Sequence, residues 1–95
     1  MNRKEYLLVC LAEEACEVGQ AATKCLRFTP EHTYGGYLDS NLERLDVELN
    51  QLITIVKMLE KELGHTFKMQ HEDKKEHATE NYIKISTEMG VINDL

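Results

Sequence analysis

The chain has 95 residues, enough for one small domain and not for two. A domain of this size buries only about 60–65% of its unfolded surface, so self-association is expected. Apolar residues at 42% and charged residues at 29% exclude a disordered tail and a membrane protein, while a formal charge of -6 argues against an electrostatic wrap around nucleic acid.

The first periodic segment runs from about Arg3 to Arg27, where Leu7, Leu11, Val18, Ala22 and Cys25 fall on one stripe of a helix. Its opening, MNRKEYLLVCLAEE, superficially imitates a signal peptide. The apolar core from Tyr6 to Ala12 is only seven residues long and lacks a cleavage context, so a cytoplasmic protein is the expectation. Cys10, Cys16 and Cys25 are odd in number and form neither a CxxC zinc pair nor a disulfide framework; they read as buried thiols in a reducing compartment. Pro30 ends the helix, and TPEHTYGGYLDS follows as a loop. Its Tyr34, Gly35, Gly36 and Tyr37 read equally as a cover for a base and as a plain loop packed by aromatics.

Ser40 or Asn41 caps the second helix, with Glu43 placed to complete a capping box on Ser40. Leu42, Leu45, Leu49, Leu52, Val56, Leu59 and Leu63 then alternate spacings of three and four, which reads as a helix-packing seam stopped by Gly64. After a polar stretch from His65 to Glu72, Ala78, Tyr82, Ile85, Met89 and Ile92 predict a third helix over about residues 73–92. The fold class is all-α, with residues 1–95 forming a single domain. Three unequal helices make a thin monomer, so a helical bundle completed by a homodimer or a dimer of dimers is expected. Nucleic acid and membrane are not expected partners.

Most of the seventeen acids alternate with lysines and read as solvated surface. Five stand apart. Glu14 falls near the middle of the first helix's apolar stripe, Glu17 at its edge and Glu13 one turn before Glu17; on the second helix, Glu43 and Asp46 share a side with Asn50 and Lys57. Like charges three and four residues apart repel, and a carboxylate on a buried stripe is costly unless it is paired or bound to a metal. Two readings follow. Glu14, Glu17, Glu43 and Asp46 together hold Mg²⁺, with Mn²⁺ as a substitute, or Glu14 snorkels to a wet edge and the others are ordinary surface acids.

Glu13-Glu14-Ala15-Cys16-Glu17, followed 26 residues after Glu17 by Glu43-Arg44-Leu45-Asp46, resembles the EExxE…ExxD signature of the MazG-like nucleoside triphosphate pyrophosphohydrolases. The resemblance covers about residues 5–64 and takes in Leu11-Ala12, Ala21-Ala22 and the long apolar helix after the second motif. It implies an all-α enzyme that cleaves a nucleoside triphosphate to the monophosphate and pyrophosphate with Mg²⁺. Under it, Glu14, Glu17, Glu43 and Asp46 are the metal ligands, and Glu13 stands behind them or orients and deprotonates the attacking water. Lys24, Arg27, Asn50, Lys57 and Lys61 are then candidates for phosphate or sugar, each also readable as a solvated helix residue. Phosphoribosyl-ATP pyrophosphatase is a relative of similar length whose characteristic surroundings are not evident here. The alternatives are a non-catalytic helical interaction protein and a degenerate MazG-like nucleotide-binding protein that keeps the bundle without turnover.

Other constellations are weak. His65, His71 and His77, six residues apart, do not share a helix face, and GxxxxGK, GxGxxG and HExxH patterns are absent. No nucleophile triad is visible.

Overall fold

A computed structural model describes residues 1–33 and 39–93. The loop residues Tyr34 to Tyr37 lie outside this range. Three helices account for most of the chain: α1 (Arg3–Phe28), α2 (Asn41–Leu63) and α3 (Asp73–Glu88). The remaining regular pairing among the described residues is an isolated antiparallel bridge between Thr33 and Ser40. None of these helices is long and apolar enough to cross a membrane.

Each helix of the first pair starts on a reciprocal cap. Glu5 N–H donates to Asn2 Oδ1 at 2.8 Å while Asn2 N–H donates to Glu5 Oε1 at 3.2 Å. At α2, Glu43 N–H donates to Ser40 Oγ and Ser40 N–H donates to Glu43 Oε1, both at 3.1 Å, which is the box expected from the sequence. Gly64 ends α2 at φ 61°, its N–H returning to the Glu60 carbonyl.

The end of α1 is less comfortable. A helix stop favours a left-handed residue, but the residue before a proline is pushed to an extended ψ. Thr29 satisfies both demands with φ 70° and ψ 151°, a conformation that costs a side-chain-bearing residue about 1–3 kcal/mol. Its carbonyl is held by the buried Asn41 Nδ2 at 3.0 Å and by His32 N–H at 3.4 Å. Leu42 N–H donates to the Pro30 carbonyl at 2.9 Å, completing the turn into α2.

These contacts fasten one end of an antiparallel hairpin. At the other end, Arg3 Nε donates to Glu62 Oε2 at 3.0 Å. Between them, Leu7, Leu11, Glu14, Val18, Ala21, Cys25 and Phe28 of α1 face Asn41, Leu45, Glu48, Leu52, Ile55, Val56 and Leu59 of α2; each is buried or half-buried. Only Leu7, Ala21 and Leu59 form a fully buried apolar core among the described residues. The seam on α2 differs from the leucine repeat read in the sequence. Leu42 and Leu49 are exposed, whereas Asn41 and Glu48, a third of a turn away, turn inward. A two-helix unit buries one narrow stripe, and α2 carries apolar residues around a wider arc than α1 alone covers.

α3 packs against neither α1 nor α2. It projects from the hairpin with its apolar stripe uncovered.

Candidate functional site

At 100° per residue, the side chains flanking the seam sort into two sets. Leu8, Ala15, Ala22 and Leu26 of α1 lie to one side, and Leu42, Leu49 and Ile53 of the antiparallel α2 lie to that same side. All are exposed, so one flank of the hairpin is apolar. The opposite flank carries charge. There, Glu17, Gln20, Lys24 and Arg27 of α1 and Arg44 and Glu48 of α2 line a cleft of about 290 Å³, floored by Ala21, Phe28 and Asn41.

The cleft is polarised along its length. Glu17 and Glu48 lie toward the middle of the hairpin, while Lys24, Arg27 and Arg44 lie toward the strained turn at Thr29. Arg27 stacks its guanidinium over the Phe28 ring at 4.7 Å, and that ring stacks on His32 with centroids 6.1 Å apart. One turn inward from Glu17 is Glu14. It is half-buried on the seam, and its Oε2 atom is buried with no hydrogen-bond partner.

The structure brings together part of the constellation read from the sequence. Glu14 lies on the seam, Glu17 beside it on the cleft wall, and Glu13 one turn before Glu17 on the same flank, exposed. Lys24 and Arg27 line the cleft, as phosphate candidates need to. Glu43 and Asp46 do not join Glu14 and Glu17 within one chain. Glu43 points away from α1 and spends its carboxylate on the Ser40 cap, and Asp46 is exposed off the cleft. The physical reason is phase. Once Leu45, Leu52 and Leu59 face α1, positions 43 and 46 rotate outward and position 48 rotates in. Asn50, Lys57 and Lys61 follow Glu43 and Asp46 around to the exposed side of α2, and Lys57 Nζ pairs with Glu60 Oε1 at 3.4 Å.

Glu48 is the residue that the sequence reading passed over. It was legible in principle, because it sits three residues after Leu45 and four before Leu52, within the inward stripe. The leucine-rich repeat drew attention to Leu42 and Leu49 instead.

Among the described residues, a different trio places metal-ligating atoms within 4.8 Å of one another: His71, Asp73 and Glu76, all exposed at the start of α3. His71 Nε2 lies 3.2 Å from Glu76 Oε2 and 3.5 Å from Asp73 Oδ1. Those hydrogen-bonded contacts account for the cluster, and acids in a first helical turn are favoured by the helix dipole.

Glu14 supplies the test of fit for a divalent cation. A carboxylate oxygen buried without a donor is costly, and a hard cation is one partner that would satisfy it, although Glu14, Glu17 and Glu48 are not among the residues whose ligand atoms lie within 4.8 Å of one another. Compared with family models, with curated proteins and with solved structures, the chain matches none.

Proposed function

We propose that the chain is the subunit of a Mg²⁺-dependent hydrolase that cleaves a nucleoside triphosphate to the monophosphate and pyrophosphate. The observation that carries this reading is the unpartnered Glu14 Oε2, buried on the seam one helical turn from Glu17, which lines a cleft with acids toward mid-hairpin and bases toward the Thr29 turn. Glu14, Glu17 and Glu48 are the residues that would hold the cation. When bound, Mg²⁺ supplies water activation and neutralises the triphosphate.

The chain's own side chains divide the remaining work. Lys24, Arg27 and Arg44 line the end of the cleft nearer the turn, where they would attract the outer phosphates, and Phe28 would offer an apolar surface to sugar or base. Arg27 is steadied by Phe28, so less side-chain freedom is lost when it grips an anion. Glu13 stands on the same flank as Glu17, placed to accept the proton of the attacking water. The water oxygen bonds to the α-phosphorus, the bond to the bridging oxygen breaks, and pyrophosphate leaves with the electron pair.

A panel of canonical and modified nucleoside triphosphates, with pyrophosphate release followed in Mg²⁺, tests the reading. Glu17→Gln or Glu48→Gln should lower turnover by about two orders of magnitude or more. Turnover that survives Glu17→Ala and Glu48→Ala combined would overturn it.

A second reading, a helical interaction protein without turnover, is favoured by the exposed apolar flank of Leu8, Leu26, Leu49 and Ile53. It predicts no rise in melting temperature with millimolar Mg²⁺. A rise that disappears in Glu14→Gln counts against it.

A further inference from the structure

The accessible surface of the chain is 7924 Å². A compact monomer of 11.0 kDa exposes about 5,600 Å², so the chain carries an excess of about 2,300 Å². Its radius of gyration is 17.1 Å, against about 12.4 Å for a compact domain of 95 residues. Two uncovered apolar surfaces contribute to the excess: the hairpin flank with Leu8, Leu49 and Ile53, and the α3 stripe of Tyr82, Ile85 and Met89. Tyr82 is 67% exposed and Met89 73%.

The exit from α2 keeps these surfaces apart within one chain. Gly64 turns the backbone left-handed, and His65 N–H donates to the Glu60 carbonyl at 3.1 Å. Phe67 N–H donates to Glu60 Oε2 at 2.9 Å, and the His65 and Phe67 rings pack edge to face at 5.0 Å. Glu60, itself paired with Lys57, fastens the first part of the connector, and α3 makes no contact with its own hairpin.

We infer that α3 is an exchanged arm: two copies of the chain associate, and each lays the Tyr82–Ile85–Met89 stripe on the apolar flank of the other's hairpin. The excess of about 2,300 Å² per chain leaves enough surface for an interface in the range of about 2,000–5,000 Å² in all found for obligate dimers. The cleft on the opposite flank stays open, so the inference stands independently of the nucleotide reading.

Two measurements on the full chain test it. Light scattering across micromolar concentrations should give the mass of two chains, and Tyr82→Glu with Ile85→Glu should weaken association by about 100-fold or more while helix content is retained. In a mixture of isotope-labelled and unlabelled chains, isotope-filtered NOEs should connect the Tyr82 ring to the Leu49 and Ile53 methyls between chains. A monomer mass throughout, a dimer indifferent to the double substitution, or NOEs from Tyr82 confined to its own chain overturns the proposal. Should the double variant fail to fold, the NOEs decide alone.

Discussion

Glu14 occupies a position where the three-and-four spacing of α1 calls for an apolar side chain, and the structure leaves one of its carboxylate oxygens buried without a donor. Replacing such a group by a hydrocarbon of similar size removes an uncompensated polar burial. Glu14→Leu should therefore raise the stability of the metal-free chain by about 1–2 kcal/mol, seen as a melting temperature about 4–16 °C higher, while abolishing Mg²⁺-dependent turnover. A loss of stability would mean that the carboxylate is better satisfied in solution than in the structure. Glu43 and Glu48 form a second contrast. Glu43→Ala removes half of the Ser40 capping box and should cost about 1 kcal/mol with turnover within a few-fold of the parent. Glu48→Gln should do the reverse, sparing stability and removing turnover. If instead Glu43→Ala and Asp46→Ala abolish activity, the catalytic carboxylates are those of the EExxE…ExxD pattern and the cleft is incidental.

The helices themselves were open to reading from residue types. Ser40 with Glu43, the αL glycine at 64 and Pro30 after the first helix are local devices, each decided within a few residues, and the structure uses all three. The phase of α2 was not legible in the same way. Leucines at 42, 45, 49, 52, 59 and 63 cover too wide an arc for a single neighbour to bury, and hydrophobicity alone does not say which part α1 takes. A helix that faces two neighbours carries two overlapping stripes, and the inward one here includes Asn41 and Glu48. The strain at Thr29 was likewise invisible, because it arises from a helix stop colliding with the next residue's proline ring. Thr29→Gly should relieve it at some cost in unfolded-chain entropy, with a net stabilisation of about 0.5–2 kcal/mol measurable by urea denaturation. Gly64→Ala, which forces a side chain into φ 61°, should destabilise by about 1 kcal/mol.

At the scale of the molecule, three buried apolar residues among those described are a slender core. On the proposed association, a second copy is part of stability. The melting temperature should rise with protein concentration, as linkage requires for a folded state that needs a second copy, and a concentration-independent transition would identify a self-sufficient monomer. Length and composition pointed to such a deficit, but that α3 leaves the hairpin uncontacted, after a connector in which Glu60 accepts the Phe67 N–H, has no sequence signature.

The division of the hairpin into two flanks has a consequence for how the sequence can vary. On the proposed association and chemistry, neighbouring residues along α1 answer to different requirements: Ala15 and Ala22 to association, Glu17 and Lys24 to the cleft, Val18 and Ala21 to the seam. Drift on the association flank can alter how copies fit together without touching a charge in the cleft. The cleft can in turn exchange acids and bases without loosening the dimer. Assembly and ligand preference are thereby free to evolve at separate rates on the same two helices.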